Sequence, residues 1–282
     1  MLWAIPENSR ERVNDAGRVL VRGPDDLDGY LQAHAVMSNW RASHQFPLNT
    51  FKINLRDRAR SVDDNAFVAQ RLKRATSIIA KLSRFPNMRL TQMQDIGGCR
   101  AVLSSLEQAI QLRDAIKGSR IKHRLVNEKD YISHPKADGY RGIHLVYRYV
   151  SDRKETYNNH SIEIQIRTNL QHAWATAVET MGTLLGQGLK ADQGEQVWLD
   201  FFALVSTAFA RREGVQIQDV DDIQLLHDRL RTMERELHVI DRLTAFQGVM
   251  KAVIADPERR RAAYFLMVLD APNEEVSVRS YS

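Results

Sequence analysis

The sequence predicts an α+β protein, a mixed β-sheet flanked by helices, and three observations carry this. The stretch SIEIQIRT sets Ile162, Ile164 and Ile166 against Glu163, Gln165 and Arg167, the period-two alternation of a half-buried strand. Strand-like runs near 99 to 103, 123 to 128, 143 to 150 and 161 to 167 interleave with runs of helical spacing. The length of 282 residues, 43% hydrophobic and 27% charged, suffices for one large core or two modest ones.

Residues 8 to 44 have helical spacing through Val13, Leu20, Leu27, Leu31 and Trp40, broken at Gly23 and Pro24. Residues 46 to 59 mix a proline with a short alternating run and read as a turn followed by an extended connection. From 64 to 84 the pattern predicts one helix, burying Phe67, Leu72, Ile78, Ile79 and Leu82. Ser104 and Glu107 have capping-box spacing for a helix over 104 to 117. A polar, hairpin-like link at 151 to 160 precedes the SIEIQIRT strand, and a helix over 169 to 185 follows it. Residues 195 to 213 and 221 to 255 are helical, the second run long and charged enough for an antiparallel hairpin or a coiled contact. Residues 264 to 269 and 276 to 281 read as two closing strands, a β-hairpin that needs a packing partner or a continuation of the chain. The expected organisation is a leading helical segment at 1 to 59, a central domain at 60 to 190 and a helical C-terminal region at 191 to 282.

Bulk properties narrow the function classes. The 40 Lys and Arg against 35 Asp and Glu, with a pI near 9.3, mildly favour phosphate-bearing partners. A single cysteine, Cys99, excludes an internal disulfide and a thiolate zinc site. No apolar run approaches the ~20 residues of a membrane span, and the amino terminus lacks a signal pattern. The expectation is a cytoplasmic protein with no membrane or DNA partner.

Three stretches carry chemistry. Arg71, Lys73, Arg74 and Lys81, with the Ser77 hydroxyl, can gather at one edge to hold a polyphosphate or can form a solvated basic face. Asp95 precedes a glycine pair at the start of a strand, a setting that suits a metal site. The loop PKADGYRGIH, residues 135 to 144, combines turn residues with an aromatic ring, cations and an imidazole, and is built to hold something flat and anionic.

Taken in order, RLKRATSI, DIGGCRAV, KDYISHPKADGYRGIH and EIQIRTNLQHAW resemble the synthetase domain of the RelA/SpoT homologue superfamily in its single-domain, small alarmone synthetase form, over roughly residues 60 to 185. The resemblance implies a nucleotidyltransferase-like fold and transfer of the β,γ-pyrophosphate of ATP to the 3′-hydroxyl of GDP or GTP. It implies that Asp95 and Glu163 are catalytic and hold Mg²⁺, with Glu163 also suited to take the hydroxyl proton. Arg71 and Arg100 would flank the adenine, with Lys73, Ser77 and Lys81 near the phosphates. Tyr140 would stack on the acceptor guanine, with Lys129, Lys136, Arg141, His144, Gln165 and Arg167 around it. His172, Trp174 and Glu179 on the next helix are weaker members, because helical aromatics more often serve the core.

The loop reads KADGYRGIH where many relatives have Asn before the Gly and Ser or Ala after the Arg, which bears on acceptor choice. His227 and Asp228 lack the upstream histidines of a metal phosphohydrolase, so no alarmone hydrolysis is expected. VNDAGRVL, NWRASHQFPLNTF and RFPNMRLTQMQDIGGCRAV are similar to a toxic subgroup that pyrophosphorylates the 3′ end of tRNA. In some of those proteins a fused C-terminal antitoxin region senses phage protein, which here would begin near residue 215. A tRNA acceptor, a protein partner or self-contact through the C-terminal region, and homo-oligomers therefore stay open. A third reading is a non-catalytic nucleotide- or RNA-binding module.

Overall fold

The computed structural model describes residues 3–189, 194–216 and 223–255; the strands expected at 264 to 269 and 276 to 281 lie outside them. Three helices lead: α1 (Arg10–Arg22), α2 (Leu27–Ser43) and α3 (Gln45–Val62). Ser9 caps α1 by accepting from the Arg12 amide, Gly23 ends it, and Asp26 caps α2 through the amides of Asp28 and Gly29.

The extended connection expected at 46 to 59 is instead α3, which also runs through the boundary expected at residue 59. Pro47 lies in its first turn, where no intrahelical N–H is lost, and Leu48, Phe51, Leu55 and Ala59 make a buried helical stripe. The single helix expected over 64 to 84 is likewise corrected. Phe67–Leu72 is an edge strand, β1, and the helix α4 spans only Ala75–Arg84. The apolar spacing fits both states, and pairing with the next strand decides between them. Phe67 is exposed rather than buried.

The sheet contains β1, β2 (Gly97–Leu103), β3 (Arg124–Asp130), β4 (Ile143–Arg148) and β5 (Ser161–Thr168), in the order β1-β2-β5-β4-β3. Only β2 and β5 are parallel, so the sheet is mixed, as the sequence predicts. Between β2 and β3 lies α5 (Leu106–Lys117). Its cap is Ser105 with Gln108, one residue past the expected Ser104 and Glu107.

Alternation gives the sheet two unlike faces. Cys99, Ala101, Leu103, Ile143, Leu145, Ile162, Ile164 and Ile166 point back into a core closed by α3 and α5. A second core joins α1, α2 and α4 through Val13, Met37, Ile78 and Leu90. Beside the front face run α6 (Asn169–Leu185), capped by Thr168 and Gln171 as a capping box, and α7 (Gln196–Arg212). These helices share a third core with Tyr140, Trp174, Trp198 and Phe202. The helical run expected from 221 is two helices, α8 (Ile223–Leu237) and α9 (Val239–Ala255), parted at His238 with a φ of 51°. Among the described residues no helix is long and apolar enough to cross a membrane.

The junction of α2 and α3 packs two buried histidines against the link between β4 and β5. Their rings lie 4.4 Å apart beside Trp40. The His44 Nδ1–H donates to the Trp40 carbonyl at 2.7 Å. Ser43 Oγ donates to the same carbonyl, so the His160 Nε2–H donates to Ser43 at 2.8 Å. Burial lowers both histidines, and the Arg10 guanidinium over Trp40 lowers them further; His44 is also lowered by His160, and His160 falls to about 4. Because the folded state resists protonation, their contribution is intact above the ordinary value of 6.5 and is lost as pH falls from there towards 4. For His160 alone the loss is roughly 3 kcal/mol. Thermal unfolding should therefore shift to clearly lower temperature between pH 7 and 5, with a shallower slope in His160→Gln. A slope unaltered by that substitution would remove His160 from the account.

Candidate active site

Strand register, rather than sequence proximity, assembles the front face. One cross-sheet row reads Arg71, Gly98, Glu163, Val146 and Asn127 on β1, β2, β5, β4 and β3; the next reads Ala69, Arg100, Gln165, His144 and Lys129. Side chains from the two rows line two cavities of about 300 and 340 Å³, which share Arg71, Asp95, Arg100, Glu163 and Gln165. The first extends towards β3, the 131 to 140 loop and α6. The second opens towards β1 and reaches Gly98 and Glu179. Seven cationic side chains against three carboxylates line the first cavity, which therefore suits a polyphosphate.

Asp95 accepts from two ammonium groups, Lys73 Nζ at 3.0 Å and Lys81 Nζ at 2.9 Å. Burial pushes its carboxyl up, but the two cations outweigh this and hold it below the usual range. Lys73 is fixed by the strand's end, where its amide donates to the Ile96 carbonyl. Lys81 projects from α4, so the break between β1 and α4 is what lets both lysines face one carboxylate.

Glu163 belongs to a closed ring of hydrogen bonds. Its Oε1 lies 2.9 Å from His144 Nδ1, and the His144 Nε2 lies 2.6 Å from the Tyr140 hydroxyl. Arg167 donates to that hydroxyl at 2.8 Å and to Gln165 Oε1 at 3.0 Å, while Gln165 Nε2 donates back to Glu163 Oε2 at 2.7 Å. Burial raises the Glu163 carboxyl, yet the His144 and Gln165 hydrogen bonds and the Lys81 charge bring it well below the ordinary carboxylate value. Arg100 is lowered by burial and by the neighbouring Arg167 and Arg71 cations, with Tyr140 and Glu179 acting in the opposite direction, so cations crowd this wall.

Tyr140 is nearly buried, with Lys136 Nζ 5.1 Å and the Arg167 guanidinium 4.9 Å from its ring centre and Tyr131 and Trp174 at its edges. Lys136 also sits 4.9 Å over Tyr131. The loop reaches this position through Gly139, whose φ of 86° is left-handed. A Cβ there would stand 2.9 Å from the Ala203 Cα of α7.

Of the residues singled out in the sequence, Arg71, Lys73, Lys81, Asp95, Arg100, Lys129, Lys136, Tyr140, His144, Glu163, Gln165, Arg167 and Trp174 line the first cavity, and Glu179 lines the second. Four do not line either. Arg74 and Ser77 lie exposed at the start of α4, and His172 lines neither cavity. Arg141 is turned inward, a correction to its expected acceptor role. It donates to the Ile132 carbonyl at 3.1 Å and to Ser206 Oγ at 3.3 Å, tying the loop to α7. Sequence reasoning missed Gln94, Asn127 and Tyr131, all in the first cavity, with Asn127 donating to Gln94 at 3.3 Å. Period-two spacing of Asn127, Lys129 and Tyr131 is the signal that could have found two of them.

This fold has known counterparts. Residues 70–181 match the family described as "Region found in RelA / SpoT proteins". GTP pyrophosphokinase YjbM of Bacillus subtilis is 35% identical over 112 residues, 39% of this chain and 53% of that protein. The chain thus spans about half the length of the curated relatives it matches. The crystal structure of small alarmone synthetase 1 from Bacillus subtilis bound to its product pppGpp superposes with a TM-score of 0.52 at 25% identity, covering 61% of this chain and 89% of that one. Small alarmone synthetase 2 from the same organism shares the fold, with a TM-score of 0.54 at 22% identity over 63% of this chain and 94% of that one.

Proposed function

We propose that this chain is an ATP-dependent pyrophosphotransferase that moves the β,γ-pyrophosphate of ATP to the 3′-hydroxyl of GDP or GTP, giving ppGpp or pppGpp. One observation carries the reading: two cavities meet at a shared wall of Asp95, Arg100 and Glu163, which is what a transfer between two nucleotides requires. The names of its pyrophosphokinase relatives and the pppGpp-bound neighbour point the same way.

In this reading the donor base lies in the second cavity, against Arg71 and Arg100, and its phosphates cross the shared wall to Lys73 and Lys81 in the first. The acceptor lies in the first, among Lys129, Lys136, Tyr140, His144, Gln165 and Arg167. A guanine that stacks on Tyr140 displaces Lys136 from the ring and frees that ammonium for a phosphate. Arg100 and the two lysines neutralise charge as the pyrophosphoryl group crosses between the cavities.

The carboxylates suit Mg²⁺. Among the described residues no cluster of three or more His, Cys, Asp or Glu forms a cation cage. Two ionised carboxylates facing one cavity match an ion that fills its remaining positions with phosphate oxygens and water. Asp95 and Glu163 would hold the ion, and when bound it would offset charge on the transferring phosphates. A carboxylate as acidic as Glu163 holds a proton weakly, which favours its ligand role. His144 Nδ1–H donates to Glu163, so the imidazole holds the carboxylate in its charged form and in position and does not itself receive the hydroxyl proton.

The test is to incubate the purified chain with Mg²⁺ and γ-labelled ATP, offering GDP, GTP and deacylated tRNA in parallel. Label on the guanine nucleotide is the expected result. Label on tRNA alone would assign the acceptor side to a polynucleotide, and label on none would end the transferase reading.

A further inference from the structure

Gly98 stands in the middle of the first row on the sheet, between Arg71 and Glu163, with nothing in the backbone to require a glycine. Its φ is not left-handed, and a Cβ built on it would meet no atom nearer than the Glu163 carbonyl oxygen at 3.8 Å, an ordinary contact. Its neighbour Gly97 differs, since a Cβ there would stand 2.8 Å from Ile162 Cδ1 in the packed back of the sheet. Glycine weakens a strand interior, and one with neither a conformational nor a packing reason marks a close approach from outside the chain.

The surroundings say what approaches. Gly98 floors the second cavity, the guanidinium of Arg71 rises from the adjacent strand, and Arg100 follows two residues on, on the same face. Ala69, the strand partner of Arg100, keeps that side low as well. Two planar cations around a strip of bare backbone form a slot for a flat π-system, with the lysines on Asp95 beyond it for the attached phosphates.

We propose that Gly98 is a specificity-determining residue, whose missing side chain lets the base of the donor nucleotide lie directly on the sheet between Arg71 and Arg100. This rests on the donor reading of the second cavity. A side chain at 98 lifts the base off the strand and out of register with both guanidinium groups, while the fold accommodates it.

The experiment compares the full chain with Gly98→Ala, using calorimetric titration of a non-hydrolysable ATP analogue with Mg²⁺ and thermal unfolding without ligand. The expected result is analogue affinity at least about tenfold weaker in the variant, with an unfolding temperature equal to or above that of the unsubstituted chain. Affinity within about twofold overturns the inference and leaves the transferase reading standing. A clear fall in unfolding temperature also overturns it, because the glycine then serves the fold. Failure of the unsubstituted chain to bind the analogue would refute the donor reading and the inference together.

Discussion

Replacing Glu163 by Gln is expected to lower pyrophosphate transfer by at least about 1,000-fold, roughly 4 kcal/mol of transition-state stabilisation, while the chain stays folded. The shape of the side chain is retained, so the sheet row and the apolar back of β5 are undisturbed. What changes is charge. A neutral amide gives up one acceptor oxygen of the two that receive His144 and Gln165, and it binds a hard cation poorly. The loss should fall on the rate rather than on ATP affinity, because Arg71, Arg100, Lys73 and Lys81 are untouched. Initial rates with labelled ATP, analogue titration and thermal unfolding together check this. Transfer at the unsubstituted rate would take Glu163 out of the mechanism, and a collapsed unfolding temperature would make its role one of folding.

Tyr140 should show the largest effect on stability. Tyr140→Ala removes a ring packed among Tyr131, Trp174 and the third core, and is expected to cost about 3–5 kcal/mol, the range for buried aromatic truncations. Tyr140→Phe separates ring from hydroxyl. It leaves Arg167 and His144 each short of a buried partner and should cost about 1–3 kcal/mol. The Ala variant alone therefore cannot report acceptor binding, since it loosens the loop, α6 and α7 together. Denaturant unfolding of both variants measures the two contributions. A Phe variant as stable as the parent would mean that the ring of hydrogen bonds contributes nothing to the fold.

Periodicity is informative where one surface decides an element. The strand β5 was legible because back and front of the sheet impose strict alternation on SIEIQIRT, and α6 was legible in both bounds because Thr168 and Gln171 cap its start and the left-handed Gly186 ends it. Residues 64 to 84 misled because Phe67 and Leu72 fit the helical spacing that continues into Ile78, yet suit an edge strand with one weakly buried face equally well. Residues 46 to 59 misled because a proline in a first turn looks the same, in sequence, as a proline in a loop.

Ordered motifs and residue chemistry by themselves determined the α+β class, the strand that bears Glu163 and most of the side chains in the two cavities. Tertiary structure alone decided which of them meet. Asp95 takes Lys73 and Lys81 as partners because a strand end and a helix converge on it, and Arg141, one residue from Tyr140, turns into the body because α7 supplies Ser206. Register is a long-range property: a slip of one residue in the β2–β5 pairing would turn Glu163 away from Gly98 and Arg71, and nothing local to β5 reports that pairing.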